Sequence, residues 1–110
     1  MKITIPYHLT ASAGDSGFET IFTVPAGKKI TILKTQIKFP SGTGGELYLA
    51  LYYGNSKVAP YTGYWVGDDV LFVDEMSSSY QGGDSIILYY NNTNTTESKE
   101  AYLLITAELE

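Results

Sequence analysis

The chain has 110 residues, enough for one domain spanning residues 1–110 with a self-sufficient core, and no cysteine to build a disulfide or a thiolate metal site. Its net charge is -5 and its seven basic residues are all lysines. That balance disfavours nucleic acid, which is read through arginine forks and basic surfaces, and disfavours an unassisted approach to an anionic membrane. No apolar run reaches the roughly 18 residues of a transmembrane helix, so no membrane insertion is expected. Residues 1–6 also lack the continuous apolar core of a signal peptide, and delivery to a surface would rest on a removed address or on assembly.

The predicted elements are strands. In residues 2–9, Ile3, Ile5 and Tyr7 alternate with Lys2 and Thr4, and Pro6 belongs at an edge or a break, because proline cannot donate to a ladder. A flexible turn follows at residues 11–17. Residues 18–24 form a second strand with Phe18, Phe22 and Val24 in one phase, stopped by Pro25-Ala26-Gly27. Over residues 28–39 the apolar phase changes from even (Ile30, Ile32) to odd (Leu33, Ile37, Phe39). A one-residue shift of this kind predicts a β-bulge or a bend between sheets.

After a glycine-rich loop at residues 40–45 comes the most regular stretch. Leu47, Leu49 and Leu51 share one face; Glu46, Tyr48, Ala50 and Tyr52 share the other. A helix would scatter those leucines around its cylinder, so the stretch reads as a central strand. A short strand at residues 57–60 precedes an aromatic loop, residues 61–67, with room for one brief extended piece. Residues 70–73 are a compact apolar strand, residues 77–83 a loop, and residues 84–90 a strand apolar on both faces and therefore interior. Residues 91–98 are a wholly polar turn. The last strand, residues 101–108, repeats the alternation of the central one, with Leu103, Ile105 and Ala107 against Tyr102, Thr106 and Glu108. Seven or eight such strands with no amphipathic helix predict an all-β fold: an antiparallel β-sandwich of about eight strands, jelly roll first and immunoglobulin-like Greek key second.

Chemistry-bearing patterns are sparse. His8, the single histidine, has no nucleophile context around it and no Gly-x-Ser-x-Gly elbow in the chain, so no catalytic residue is assigned. Asp68, Asp69, Asp74, Glu75 and Asp84 are available as a glycosidase-type pair, but acids flanking an apolar strand serve as solvated strand ends, and a hydrolase ranks lowest. Asp68 and Asp69 with loop carbonyls are an open question for calcium; with no Asp-x-Asp-x-Asp-Gly loop present, no metal and no cofactor are assigned. Gly42-Thr43-Gly44-Gly45 precedes a strand and lacks the lysine ending of a phosphate loop, so it reads as a turn. Tyr61, Tyr64 and Trp65 are the candidate ligand-binding residues, stacking on a sugar ring or a protein; the competing reading, core closure by Trp65, is the commoner fate of a lone tryptophan beside a strand. Asn91 and Asn94 each open an N-x-Thr glycosylation pattern, against the plainer reading of a solvated turn.

The order of Phe22-Thr23-Val24-Pro25-Ala26-Gly27-Lys28, a long strand, Val58-Ala59-Pro60 after a Gly-Asn turn, Gly83-Asp84-Ser85-Ile86 and a final tyrosine-bearing strand resembles small jelly-roll sandwiches of virions: capsid vertex, turret and spike domains and phage receptor-binding heads. The motifs are turn chemistry, shared with other sandwiches such as carbohydrate-binding modules, and carry over no binding residue. The resemblance implies a non-enzymatic structural or attachment domain on a virion or extracellular surface, partnered with copies of itself or other virion proteins and acting by packing and loop presentation. Tyr48, Tyr52, Tyr89 and Tyr102 are the expected interface residues, against the equal claim that they are ordinary strand exteriors. The alternative function is a carbohydrate-binding module with a glycan partner.

Overall fold

A computed structural model describes residues 1–110, and its regular elements are eight strands. They are β1 (Lys2–Ala11), β2 (Ser16–Thr23), β3 (Lys29–Phe39), β4 (Leu47–Tyr53), β5 (Ser56–Ala59), β6 (Val70–Gln81), β7 (Ser85–Asn92) and β8 (Lys99–Leu109). The first sheet has the order β1-β8-β3-β6 and the second β2-β7-β4-β5. All neighbours are antiparallel, and the pairs β1/β8, β2/β7, β3/β6 and β4/β5 nest one inside the next around the β4–β5 hairpin. A long hairpin folded over so that alternate pairs fall in opposite sheets is the jelly roll, the first of the two architectures expected.

The inner faces are built as the alternation requires. Leu47, Leu49 and Leu51 are wholly buried, each contributing on the order of 2 kcal/mol through removal from water. They meet Ile30, Ile32, Ile37 and Phe39 of β3, Leu103 and Ile105 of β8, and Ile86 and Leu88 of β7 in one core. The phase change in β3 is a bulge: both its ladders, to β6 and to β8, shift register between Ile32 and Lys34. Against β8 the extra residue lies on β3, against β6 it lies on β6, and beyond the shift Ile37 and Phe39 are on the core side. Interior β7 lies between β2 and β4, and Pro6 lies on β1, an edge strand paired only with β8.

Several boundaries differ from the expectation. β6 continues through residues 74–81, where the strand was expected to end at residue 73 and a serine-rich loop to run over residues 77–83. Serine has little strand preference of its own; the segment is held extended by cross-strand pairing to β3, with Tyr80 opposite Ile30 and Ser79 opposite Thr31. β1 and β2 reach into the expected turn and shorten it to residues 12–15; β7 likewise takes Asn91 and Asn92 from the turn expected at residues 91–98, and β8 begins at Lys99, two residues before the expected 101. Phe18 faces outward although Phe22 and Val24 turn inward, because β2 has its own register shift between Thr20 and Phe22.

Four loops gather at one end of the sandwich around a polar cluster. The side chain of Asn92 is buried and donates to the carbonyls of Ala11, Ser12 and Glu97 at 3.0–3.2 Å. Buried Lys99 donates to the Gly42 carbonyl at 2.7 Å, and its Nζ lies 3.4 Å from Glu46 Oε1. No buried side-chain nitrogen or oxygen is left without a partner, so the cluster closes the end of the core at little desolvation cost.

Candidate functional site

The outer face of the second sheet is set by directly opposed residues. One row runs Ser16, Asn91, Tyr48; the next Phe18, Tyr89, Ala50; the next Thr20, Ile87, Tyr52, with Lys57 beside Tyr52. Side chains opposed or diagonal on one face are within reach of aromatic rings. Phe18 lies 5.3 Å from both Tyr52 and Tyr89, centroid to centroid, edge-on to the first and tilted to the second. Tyr89 also meets Tyr52 at 6.1 Å and Tyr64 at 5.5 Å, and Tyr64 meets Tyr48 edge-on at 6.1 Å. Lys57 Nζ stands 5.3 Å over the Tyr64 ring and donates to the Gly63 carbonyl at 2.6 Å. These separations are those favoured by the ring quadrupole.

The result is one aromatic layer of Phe18, Tyr48, Tyr52, Tyr64 and Tyr89. It is dense enough to bury Ala50, which has no exposed surface yet stands outside the inner core. The Tyr52 phenol is pushed up from its ordinary range by this burial first and by the phenols of Tyr64 and Tyr89 second. Phe18 nevertheless remains 60 % exposed and Tyr64 44 %, so the layer presents apolar area outward.

Of the four tyrosines expected at an interface, the structure brings Tyr48, Tyr52 and Tyr89 together and separates Tyr102. β8 belongs to the first sheet, so Tyr102 points from the opposite side of the sandwich. There it stacks on His8, its cross-strand partner, with centroids 4.4 Å apart and planes 7° from parallel. His8 Nε2 lies 3.1 Å from the Glu100 carboxylate. The face also gained two members that alternation did not assign. Phe18 was hidden by the β2 irregularity, and Tyr64 reaches the layer from a loop; the findable signal for Phe18 was its place opposite Tyr89 once β2 and β7 pair.

The trio Tyr61, Tyr64 and Trp65 does not form a common platform. Tyr61 is 98 % exposed at the loop tip, Tyr64 lies in the aromatic layer, and Trp65 is 2 % exposed. Trp65 exchanges two backbone hydrogen bonds with Leu49 at 2.9 Å, extending the ladder beyond short β5, and its indole donates to Asp74 at 2.7 Å. The flat faces of the indole are packed in the core and unavailable to a sugar.

The acids serve the scaffold. Asp68 Oδ1 accepts from the amides of Gly42 and Gly44 at 2.9 and 2.8 Å, which holds its carboxyl below the usual range. Both glycines have positive φ, 103° and 66°, the backbone geometry that turns their amides toward that oxygen. Asp69 pairs with Lys38 at 3.3 Å, and Asp84 accepts from the Tyr53 hydroxyl and the Gln81 amide, both at 2.8 Å. Asn94 donates to the Glu46 carboxylate and accepts from the amides of Thr96 and Glu97, so its carboxamide is committed to the polar end. Asn91 lies on the outer face of β7 between Ser16 and Tyr48.

No protein-family model matches the chain, and no curated protein sequence does. Solved structures do match its fold. A chain of the Sulfolobus turreted icosahedral virus aligns with a TM-score of 0.62 at 16 % identity, over 99 % of this chain and 29 % of that one. A chain from the capsid of Helicobacter pylori bacteriophage KHP30 aligns at 0.57 and 12 % identity, over 100 % of this chain and 97 % of that one. The VP2 subviral particle of infectious bursal disease virus aligns at 0.52 and 14 % identity, over 99 % and 32 %. This chain thus has the length of the bacteriophage chain and under a third of the length of the other two. The jelly-roll sandwich of virion proteins is therefore the fold it shares.

Proposed function

We propose that the chain is a non-enzymatic structural domain of a virion that works by protein–protein packing, with the aromatic face of the second sheet as a packing surface. The observation that carries this reading is the aromatic layer itself, five rings in contact on the outside of a sandwich whose fold is that of capsid chains. Rings with an apolar body and a polar tip are the side chains that interfaces favour, since they bury large area at low entropy cost and tolerate water until a partner arrives. The loops at the polar end, held by Asp68, Asn92, Asn94 and Lys99, make a rigid tip suited to presentation. Attachment to a host is the finer form of this reading and would use that tip.

The test is localisation. An antibody raised against the purified domain is applied to particles released from cells that carry the coding sequence. Gold label on the particle surface, lost when Phe18→Asp and Tyr89→Asp are introduced together, is the expected result. Label that stays with free protein and never sediments with particles overturns the reading.

A further inference from the structure

We infer that the polar end of the sandwich closes an intramolecular isopeptide bond between Nζ of Lys99 and Cγ of Asn94, with Glu46 as the proton carrier. The amine and the carboxamide meet on one carboxylate. Glu46 Oε1 lies 3.4 Å from Lys99 Nζ and accepts from Asn94 Nδ2 at 3.1 Å, and Oε2 lies 3.3 Å from the same Nδ2. Lys99 is the one buried lysine of the chain, in a position where a lysine head ordinarily stays in water. The Asn94 carbonyl is polarised from its other side. Its Oδ1 accepts from the Thr96 and Glu97 amides, both at 2.8 Å, and from the Thr96 hydroxyl at 3.0 Å. Three donors on one carbonyl oxygen form an oxyanion hole, aimed where negative charge develops when Cγ is attacked. A nucleophile, a base touching it and an oxyanion hole are the parts that acyl transfer requires.

The fold holds these parts in place before any bond forms. The Thr93 amide and hydroxyl donate to the Glu46 carbonyl at 2.9 and 2.8 Å, which ties the start of β4 to the loop between β7 and β8. Asn94 is fixed by its own amide, which donates to Asn92 Oδ1 at 3.0 Å, and by its carbonyl, which accepts from the Gly14 amide at 2.7 Å. Nζ reaches Cγ by swinging across the oxygen that both side chains already touch, a movement the flexible lysine stem permits. Glu46 takes a proton from the Nζ ammonium, and the freed lone pair attacks Cγ, placing negative charge on Oδ1. Glu46 then passes that proton to Nδ2 and takes a second one from Nζ, which it later gives up to water. The Cγ–Nδ2 bond breaks, ammonia leaves, and an amide joins Lys99 to Asn94. One ammonia and one proton are released, and nothing is oxidised or reduced. The bond spans a short segment, so it locks the tip and adds little global stability.

Mass spectrometry of the purified, denatured chain tests the bond. The wild-type mass should be lower than that of the sequence by one ammonia. Lys99 is the last lysine after Lys57, and the chain has no arginine. Trypsin should therefore leave residues 58–110 as one fragment lacking that ammonia, because an acylated Lys99 is not cleaved, and fragmentation should place the link between Asn94 and Lys99. Lys99→Arg and Asn94→Ala should restore the full mass, and Glu46→Gln should slow the loss of ammonia about a hundredfold or more. Phe18→Asp, which disrupts the aromatic face, should leave the loss unchanged, so this proposal and the packing reading are judged separately. The wild-type fragment decides the matter even where a variant fails to fold. A wild-type chain of full mass, cleaved at Lys99, overturns the proposal. So does an ammonia loss that persists in Lys99→Arg, which would mark a succinimide at an asparagine.

Discussion

On the outer face of the second sheet, Phe18, Tyr48, Tyr52, Tyr64 and Tyr89 are in ring-to-ring contact, whereas on the first sheet Tyr102 has a single ring neighbour, His8. Around Tyr102 the exposed apolar residues Leu71, Val73 and Leu104 are interrupted by Gln36 and Lys38, which stand between them in the cross-strand rows. Both faces arise from strands that alternate an apolar side with a tyrosine-bearing side. What separates them is which strands become neighbours: β4 and β7 bring their tyrosines onto one face, and β8 is paired with β1 and β3, which offer mainly histidine, lysine and glutamine. A polar-tipped ring is therefore an ordinary strand exterior when it stands alone, and part of a packed outer layer when its cross-strand neighbours are also rings.

The strongest way to break this contrast is to place a charge beneath each face. Ala50→Asp buries a carboxylate under the aromatic layer with no partner, and should cost about 3 kcal/mol or more in urea unfolding. Leu104→Asp puts the same group on the other sheet, where water reaches it, and should cost under about 1 kcal/mol. Equal losses would show that the aromatic layer does not exclude water.

Alkaline pH tests the link between the two sheets. Tyr80, on β6, has no exposed surface, and its hydroxyl reaches the Tyr52 carbonyl of β4 at 3.4 Å. Burial, then the Tyr53 phenol and the Asp84 carboxylate, push its pKa up to about 12. A phenol whose pKa is higher folded than unfolded stabilises the fold fully below its unfolded value near 10, and that contribution is lost as the pH rises through the folded value. Unfolding free energy should thus fall by about 2 kcal/mol between roughly pH 9.5 and 12, and Tyr80→Phe should remove most of that slope.

Single-ring truncations sharpen the contrast further. Tyr89→Ala removes the ring shared by Phe18, Tyr52 and Tyr64 and should cost about 1–2 kcal/mol, while Tyr102→Ala loses one exposed stack and should cost about half a kcal/mol. The smallest expected effect is at the loop end. Asp68→Asn removes the charge that draws in the Gly42 and Gly44 amides; hydrogen exchange at those two amides should quicken while the global unfolding midpoint stays in place. The Asp68 pKa is lowered in the fold, so its contribution is present above the unfolded carboxyl range and is lost on acidification, with the same local signature.

The strand plan was legible wherever alternation was strict. Leu47, Leu49 and Leu51 announced an inner face, the phase change in residues 28–39 announced the β3 bulge, and Pro6 announced an edge. β6 beyond residue 73 was not legible, because Ser77-Ser78-Ser79 has neither apolar period nor strand preference and is extended only through pairing with β3. Phe18 was misassigned because a register shift inverts alternation from within, and nothing local marks it. Trp65 was ambiguous for another reason: an indole is suited to both a core and a surface, and only Asp74 on β6, across the sandwich edge, supplies the half-buried acceptor that settles it.

The sequence by itself determined that the chain is an antiparallel sandwich, because a two-residue period with glycine, proline and asparagine turns is a property of each segment alone. It also determined which residues have polar tips and which do not. Only the tertiary structure decided which tips meet, since strand order is settled by the closure of the whole core and not by any one strand. Ring contact on the second sheet, the isolation of Tyr102 and the edge position of β6 are all consequences of that order.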